Sequence, residues 1–212
     1  MEKSVAEVGA SVTSISAGGG LPTVYRQGDS YVDLSAHFGL WNALRKRIEE
    51  RFGHKISLEI EPGRYLVAES GFLVAEIRAV KRQGEHLFYL LDAGFNNLAR
   101  PILYGSHHPM SIVPRDGAAR PERKVIVGGP LCESGDIFTQ TEGGFVSPRD
   151  LPEAEVGQLL VIECTGAYGF VMGSNYNSRP LAAEVLVDSG RAQLIRRRQT
   201  FEDMIRGEII PG

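Results

Sequence analysis

Cysteine is scarce in this chain: Cys132 and Cys164 are the only two among 212 residues. Their spacing matches no metal-binding motif, and two cysteines cannot build the dense disulfide framework of a small secreted domain. We therefore expect neither a zinc site nor structural disulfides. The same scarcity favours a reducing, cytoplasmic compartment.

Strong charge of one sign and long apolar runs are also missing. The formal net charge is −3, which indicates neither a nucleic-acid partner nor a membrane-surface partner. No apolar stretch is long enough to cross a bilayer, and the first residues lack the basic-then-apolar order of a signal peptide. With 42% hydrophobic and 23% charged residues, the composition is that of one large or two small globular domains.

The first third of the chain has a β–α–β pattern. Strands are predicted over 12–16 and 56–60, and an amphipathic helix over 35–52 with Gly53 at its C-terminal cap. Polar or glycine-rich segments follow both strands. This order is that of an α/β barrel, in which the active site lies at the carboxyl ends of the strands.

Residues 1–70 are therefore predicted to hold the last two β/α units of such a barrel. The segment 2–8 resembles the last turns of a preceding helix. Two units cannot close a barrel, and an open sheet exposes unpaired edges and an apolar face. We therefore expect this chain to be a fragment of a longer barrel protein.

The pattern changes near Ser70, so that residues 71–212 are predicted to form a second domain made mainly of strands. Short strands separated by turn signals, without long helices, are typical of an antiparallel β-barrel or sandwich. The overall class is then α+β, with a short final helix over 201–208. The strands are predicted over 73–80, 86–92, 124–127, 159–164, 182–187 and 191–196.

Two motifs follow the strands of the first domain. Consecutive glycines at Gly18, Gly19 and Gly20 let backbone N–H groups converge on an anion such as phosphate, although taken alone they are more often a plain flexible turn. In Glu61-Pro62-Gly63-Arg64, the carboxylate can bind a protonated ring nitrogen and the guanidinium a phosphate or carboxylate. A surface ion pair on a Pro-Gly turn is the alternative.

The second domain carries three further motifs. Arg100 and Tyr104 can together recognise a carboxylate, or they are an exposed arginine and a packed tyrosine. Cys132 beside Glu133 can donate a proton from a thiol, or it is a small structural cysteine. Tyr168, between glycines, can reach a phosphate or a ring edge, or it packs at a turn.

Other polar residues have no assigned role at this point. The adjacent His107 and His108 are interpreted as loop residues, not as a metal pair, because neighbours on an extended chain face opposite sides. The loop that contains Asn175, Asn177 and Arg179 is strongly polar, but its place cannot be deduced from the sequence.

Taken together, these motifs resemble those of the diaminopimelate decarboxylases, enzymes that depend on pyridoxal phosphate (PLP) and act in lysine biosynthesis. The resemblance runs from about Ser14 to about Ile205 and includes the segments 38–43 and 194–200. It implies an alanine-racemase-like barrel with a C-terminal β-domain. It also implies a homodimer whose active sites lie at the subunit interface, with the Cys132–Glu133 loop serving the neighbouring subunit.

The resemblance assigns residues to the cofactor. The glycine loop would bind the phosphate of PLP, Glu61 its ring nitrogen, and Arg64 either the phosphate or the substrate. The residues implied in cofactor binding are Gly18, Gly19, Gly20, Glu61, Gly63, Arg64 and Tyr168.

It assigns residues to the substrate as well. Arg100 and Tyr104 would bind the distal carboxylate of the amino-acid substrate and Glu133 its distal ammonium group, with Arg64 and Tyr168 also close to the substrate. Cys132 would supply the proton that replaces the departed carboxyl group.

The lysine that carries PLP in this family has no counterpart here, since Lys3, Lys46, Lys55, Lys81 and Lys124 match no such motif. We therefore expect the chain by itself to be inactive as a decarboxylase. Two alternatives stay open: a non-catalytic dimerisation or interaction module derived from the same family, and a related ornithine or arginine decarboxylase. Arg100 speaks against the latter, because a substrate that ends in a cation would need an acid there.

Overall fold

The structure, a computed structural model, describes residues 11–26 and 28–212. The helical turns expected over 2–8 lie outside these residues. The chain divides into two compact units between Glu69 and Ser70. The domain organisation expected from the sequence, a barrel fragment over 1–70 and a β-domain over 71–212, stays a prediction.

The first unit contains two parallel strands joined by a helix. Strand β1 (Ser14–Ser16) pairs in parallel with β2 (Ser57–Glu59), and α1 (Leu34–Phe52) lies between them in sequence. A short helix, α2 (Gly63–Val67), follows β2. The small core consists of Ile15 on β1, Ile48 on α1 and Ile56, which directly precedes β2.

Helix α1 has clear start and stop signals in the sequence. The Asp33 side chain accepts a hydrogen bond from the Ala36 N–H at 2.9 Å, and so caps the first turn. Gly53 ends the helix at φ 72°, a left-handed conformation that glycine adopts without strain, and its N–H donates to the Glu49 carbonyl at 2.8 Å. The predicted helix and its glycine cap are therefore confirmed. That the unit belongs to an α/β barrel stays a prediction.

The second unit is dominated by a six-stranded sheet. Its strands lie in the order β5-β8-β3-β4-β6-β7, and a short helix, α3 (Arg100–Tyr104), precedes β5. The strands are β3 (Leu73–Gln83), β4 (His86–Leu91), β5 (Met110–Val113), β6 (Glu122–Gly128), β7 (Arg149–Pro152) and β8 (Leu159–Ile162).

The sheet curls until its two edge strands, β5 and β7, approach each other. At this seam the Arg149 guanidinium contacts the imidazole of His107. The sheet-rich barrel predicted from the sequence is thus confirmed in its general form. A separate hairpin, β9 (Glu184–Asp188) with β10 (Arg191–Arg196), and the helix α4 (Phe201–Ile205) complete the unit.

One feature of the predicted barrel is wrong: the sheet is mixed and not antiparallel. Strands β4 and β6 run parallel, with Leu87 opposite Val125 and Leu90 opposite Gly128. The connection between them is long and contains α3 and β5, which gives the chain room to return in the same direction. Within this connection, residues 100–104 form α3, with Pro101 in its first turn and Gly105, in a left-handed conformation, as its C-terminal cap.

The interior of the barrel is apolar. Ile77, Leu160 and Ile162 have no exposed surface, and Tyr89 is 1% exposed. The Tyr89 hydroxyl donates to the Pro152 carbonyl at 3.1 Å and accepts the Ala154 N–H at 2.9 Å, so its polar end is satisfied inside the barrel. Every helix within residues 11–26 and 28–212 is too short or too polar to traverse a bilayer.

We predict that Ile77→Ala destabilises the protein by about 2–5 kcal/mol, because it removes buried methyl groups and leaves a cavity in the barrel. The matched control is Ile195→Ala on β10, where the side chain is 61% exposed and the expected change is within about 0.5 kcal/mol. Chemical denaturation followed by circular dichroism measures both. Equal losses in the two variants would show that the barrel interior does not dominate stability.

Candidate functional site

The glycine loop and Glu61 meet at the carboxyl ends of the two parallel strands. Glu61 N–H donates to the Gly18 carbonyl at 2.8 Å, and the Ser16 hydroxyl donates to Glu61 Oε1 at 3.2 Å. A second bond, from Gly18 N–H to Ser16 Oγ at 3.0 Å, closes the arrangement. The structure therefore brings these two predicted motifs together, with Ser16, which sequence reasoning missed, as the link.

Glycine is required in this loop for two different reasons. Gly18 and Gly20 have φ values of 65° and 87°, in the left-handed region, and a Cβ added to either would meet nothing within 4 Å. At Gly19, in contrast, a Cβ would lie 2.9 Å from the Glu61 carbonyl oxygen. The loop is thus packed against Glu61 on one side and open on the other.

The remaining part of the Glu-Pro-Gly-Arg motif begins α2. Gly63 N–H donates to the Glu61 carbonyl at 3.0 Å, which turns the chain sharply after the carboxylate. Arg64 lies in the first turn of α2. The four lysines that the structure describes (Lys46, Lys55, Lys81 and Lys124) are all exposed.

A second cluster surrounds Arg100 in the other unit. Its side chain is only 6% exposed, and its Cζ lies 5.9 Å from the centre of the Tyr104 ring and 5.6 Å from that of Tyr168. Three residues that the sequence separates by up to 68 positions are therefore brought together. Both rings can stabilise the cation through their faces.

The Arg100 guanidinium makes few polar contacts within the described part of the chain. Nη2 donates to Ser106 Oγ at 3.2 Å, while Nε is buried without a hydrogen-bond partner. No ion pair joins Arg100 to a described carboxylate. A buried guanidinium that has an unsatisfied N–H and no carboxylate partner is suited to binding an anionic group of a ligand.

His108, interpreted from the sequence as a loop residue, is buried beside this cluster with 1% exposure. Its Nδ1 lies 3.0 Å from the Glu163 carbonyl oxygen. Burial lowers the pKa of His108 to about 4, and the positive charges of Arg100 and Arg149 act in the same direction against the Glu163 contact. The imidazole is therefore neutral near pH 7, and the cluster carries no additional cation there.

Cys132 and Glu133 form a third cluster. Cys132 is exposed with a free thiol. Glu133 Oε1 accepts the Gly135 N–H at 3.1 Å and the Ser134 hydroxyl at 3.3 Å, while Oε2 accepts the Tyr176 hydroxyl at 3.3 Å. The Gly135 N–H, followed by the Tyr176 hydroxyl, lowers the pKa of Glu133, so that the carboxylate is ionised near neutrality.

Asp136 fixes the backbone beneath this loop. Its carboxylate is 4% exposed, and it accepts the N–H groups of Phe95 and Leu131, each at 2.8 Å. A Cβ at Gly129 would lie 2.2 Å from Asp136 Oδ2, so only glycine permits this close approach. Burial raises the pKa of Asp136, while the two N–H groups act in the opposite direction.

Neither Asp136 nor Tyr176 was predicted from the sequence to have a role. An aspartate next to several glycines is a signal for a carboxylate that binds backbone N–H groups, whereas the pairing of Tyr176 with Glu133 spans 43 positions and has no local signal. No group of three or more metal-binding side chains lies close together within the described residues.

Comparison with known proteins places this chain in a family. The family described as "Pyridoxal-dependent decarboxylase, C-terminal sheet domain" matches residues 22–166. Diaminopimelate decarboxylase of Escherichia coli strain K12 is 53% identical over 213 residues, covering 99% of this chain and 51% of the relative.

Solved structures give the same result. A crystal structure of diaminopimelate decarboxylase superimposes with a TM-score of 0.93 at 53% identity, covering 96% of this chain and 49% of that one. The enzyme from Helicobacter pylori, solved in complex with L-lysine, has a TM-score of 0.79 at 32% identity, with 97% and 47% covered.

The chain therefore belongs to the pyridoxal-dependent decarboxylases, a class of lyases whose cofactor is PLP. Within this class, it is similar over nearly its whole length to diaminopimelate decarboxylases. It spans about half the length of the relatives that it matches.

We predict that Asp136→Asn destabilises the protein by about 1–3 kcal/mol, because an amide oxygen replaces only one of the two acceptor atoms and leaves a buried N–H unpaired. Alkylation of Cys132 should become faster, since the loop above Asp136 loosens. The control is Asp150→Asn, which removes an exposed ion pair with Lys124 worth at most about 1 kcal/mol. Unchanged stability and alkylation in Asp136→Asn would contradict the role of this carboxylate.

We also predict a stability change with pH that depends on His108. Its pKa in the folded state, about 4, lies below the ordinary value. The stabilisation from the neutral imidazole is therefore fully present above about pH 6.5. It is lost as the pH falls towards 4. The loss attributable to this group is about 2–3 kcal/mol. His108→Asn, whose amide can replace Nδ1, should show a smaller loss over this range by denaturant titration.

The matched control for His108→Asn is His86→Asn, because His86 is exposed at the start of β4. This variant should retain the full decrease in stability of the unsubstituted chain. An unaltered decrease in His108→Asn would show that another group is responsible.

Proposed function

We propose that this chain acts in the decarboxylation of meso-2,6-diaminopimelate to L-lysine and CO2. The observation that carries this proposal is the buried Arg100 between Tyr104 and Tyr168, without a described acidic partner. A substrate with a carboxylate at its far end supplies the missing anion. The similarity to diaminopimelate decarboxylases over 99% of the chain supports the same reaction.

The residues of the first unit fit the cofactor of the family. The open side of the glycine loop, where Gly18 and Gly20 have no neighbour within 4 Å of a Cβ position, would accommodate the phosphate of PLP. Glu61, oriented by Ser16, would accept a hydrogen bond from the protonated ring nitrogen. Gly63 and Arg64 would complete this side. Tyr168 is assigned to the cofactor as well.

When bound, PLP supplies an electron-withdrawing ring that accepts the electron pair left when CO2 departs. The chain's own groups orient the amino acid. Arg100 and Tyr104 would bind the distal carboxylate, with Arg64 and Tyr168 close to the substrate. Glu133, whose pKa is lowered by the Gly135 N–H, would bind the distal ammonium group. The Cys132 thiol would donate the proton that takes the place of the lost carboxyl group.

We further propose a homodimer, in the cytoplasm, with the Cys132–Glu133 loop contributing to the site of the neighbouring subunit. The exposure of Cys132 supports the dimer. A thiol that donates a proton in the reaction would need the surface of a second subunit to exclude water from it. The β–α–β unit would belong to an α/β barrel, as the parallel pairing of β1 and β2 suggests.

Substitution of Arg100 tests the substrate assignment. We predict that Arg100→Ala weakens binding of meso-diaminopimelate by about tenfold to one hundredfold, the loss of a charge-assisted pair, while PLP binding changes little. The control is Arg123→Ala on β6, an exposed residue paired with Glu153, which should bind both ligands normally. Calorimetric titration measures all three proteins. Equal losses for substrate and PLP would remove the role assigned to Arg100.

Reductive trapping of PLP tests whether any lysine of this chain forms a Schiff base with the cofactor. We predict that borohydride reduction after incubation with PLP gives no single stoichiometric adduct on the folded chain, because the described lysines are exposed and none matches the lysine motif of the family. Intact-mass and peptide analysis read the result. One stoichiometric adduct on one lysine would contradict this expectation and would identify a substitute cofactor lysine.

A further inference from the structure

The polar loop of residues 175–179, which the assigned functions leave unused, has a fixed and unusual shape. Asn175 Nδ2 donates to the Arg179 carbonyl at 2.8 Å and to Gln199 Oε1 at 2.6 Å. Asn177 and Ser178 both have left-handed backbones, at φ 53° and 54°. Such a conformation persists only where surrounding contacts maintain it, and it is common near functional sites.

This loop reaches the Cys132–Glu133 loop at two points. The Tyr176 hydroxyl donates to Glu133 Oε2 at 3.3 Å, and Arg179 Nη2 donates to the Pro130 carbonyl at 3.4 Å. The Tyr176 ring packs against Phe95 with centroids 4.7 Å apart. The Phe95 N–H donates to Asp136. The residue that packs against the Tyr176 ring is therefore held by the same buried carboxylate that fixes the Cys132–Glu133 loop.

The contacts of Glu133 leave its carboxylate one well-defined orientation. Oε1 is bound from its own loop, by Gly135 and Ser134, and Oε2 is bound only by Tyr176 among the described residues. The two side chains also influence each other's ionisation. The Glu133 charge, with burial and the Cys132 charge as smaller causes, raises the pKa of Tyr176.

We propose that Tyr176 is a positioning residue for Glu133: its hydroxyl orients the carboxylate that receives the distal ammonium group of the substrate. The inference rests on the proposed function of Glu133. The ring of Tyr176 is set by Phe95 and the fold of its loop by Asn175, so that the hydroxyl approaches Oε2 from a fixed direction. A carboxylate with one orientation binds an ammonium group with a smaller loss of conformational freedom.

The first experiment measures the contact itself, without ligand. The seven tyrosines are labelled with ¹³C at Cζ, the Tyr176 resonance is assigned by its disappearance in Tyr176→Phe, and its titration is followed by NMR. In Glu133→Gln, we expect the pKa of Tyr176 to fall, since a neighbouring negative charge is removed. The control Glu85→Gln, in the exposed turn after β3, should not change it. An unchanged titration in Glu133→Gln overturns the contact.

The second experiment separates the positioning role from the proposed function. L-Lysine, which keeps the distal ammonium and carboxylate groups of diaminopimelate at its Cα, is titrated calorimetrically into the chain and its variants. We expect Glu133→Gln to weaken binding by about tenfold and Tyr176→Phe, which keeps the ring on Phe95, by about threefold. Glu85→Gln should bind as the unsubstituted chain does.

The outcomes of the second experiment are distinct. Weaker binding in Glu133→Gln with normal binding in Tyr176→Phe overturns the positioning role and leaves the proposed function standing. Normal binding in Glu133→Gln overturns the proposed role of Glu133 and, with it, the positioning role of Tyr176.

Discussion

The buried carboxylate of Asp136 is the constraint on which the second unit's candidate site depends. It binds the N–H of Phe95, just after β4, and that of Leu131, just after β6. These two strands are the parallel pair of the barrel, so their carboxyl ends lie at the same edge of the sheet. The carboxylate joins the two chain segments there, and the Cys132–Glu133 loop leaves the barrel from this junction.

Tight packing strengthens the junction. A Cβ at Gly94 would lie 2.8 Å from Asp136 Oδ2, and one at Gly129 would lie 2.6 Å from the Gly94 Cα. Neither glycine can be replaced without moving the carboxylate or the backbone. The Cys-Glu-Ser-Gly-Asp sequence thus combines exposed chemical groups, Cys132 and Glu133, with the buried group that fixes their backbone.

Electrostatics distinguish the Arg100 cluster from the Cys132–Glu133 loop. Arg100 is a buried cation beside a neutral His108, whereas Glu133 is an ionised carboxylate on an exposed loop. A ligand with a carboxylate and an ammonium group at its far end matches both. Diaminopimelate has this combination, while ornithine and arginine lack the second carboxylate. The charge pattern therefore favours the proposed substrate over those of related decarboxylases.

Much of the local structure could be predicted from the sequence. Helix α1 has an amphipathic period and a glycine stop. Strands β4 and β8 are mostly apolar, and β3 mixes apolar and charged residues before the turn at Gly84. Strand β7 was missed because its sequence, Arg-Asp-Leu-Pro, is polar and ends in proline, which suits only an edge strand. Strand β5 was missed because its four residues, unlike the wholly apolar four of β8, include a serine and give too short a pattern.

The candidate site could be predicted only as a set of residue types. The motifs suggested that Arg100 and Tyr104 act together, but not that Tyr168 lies against the same guanidinium. The parallel pairing of β4 with β6, the burial of His108 and the contact of Tyr176 with Glu133 all join distant parts of the chain. Such long-range contacts follow from the three-dimensional packing, which local propensity does not encode.

The central claim is that the Arg100 cluster recognises a carboxylate of the substrate, and the Arg100 Nε–H resonance in NMR spectra reports on it directly. Meso-diaminopimelate and 1,5-diaminopentane differ only in the two carboxylates, so that the second compound is a matched control. The account predicts that this resonance shifts on addition of diaminopimelate and not of 1,5-diaminopentane. Equal shifts with both compounds, or none with either, would contradict it.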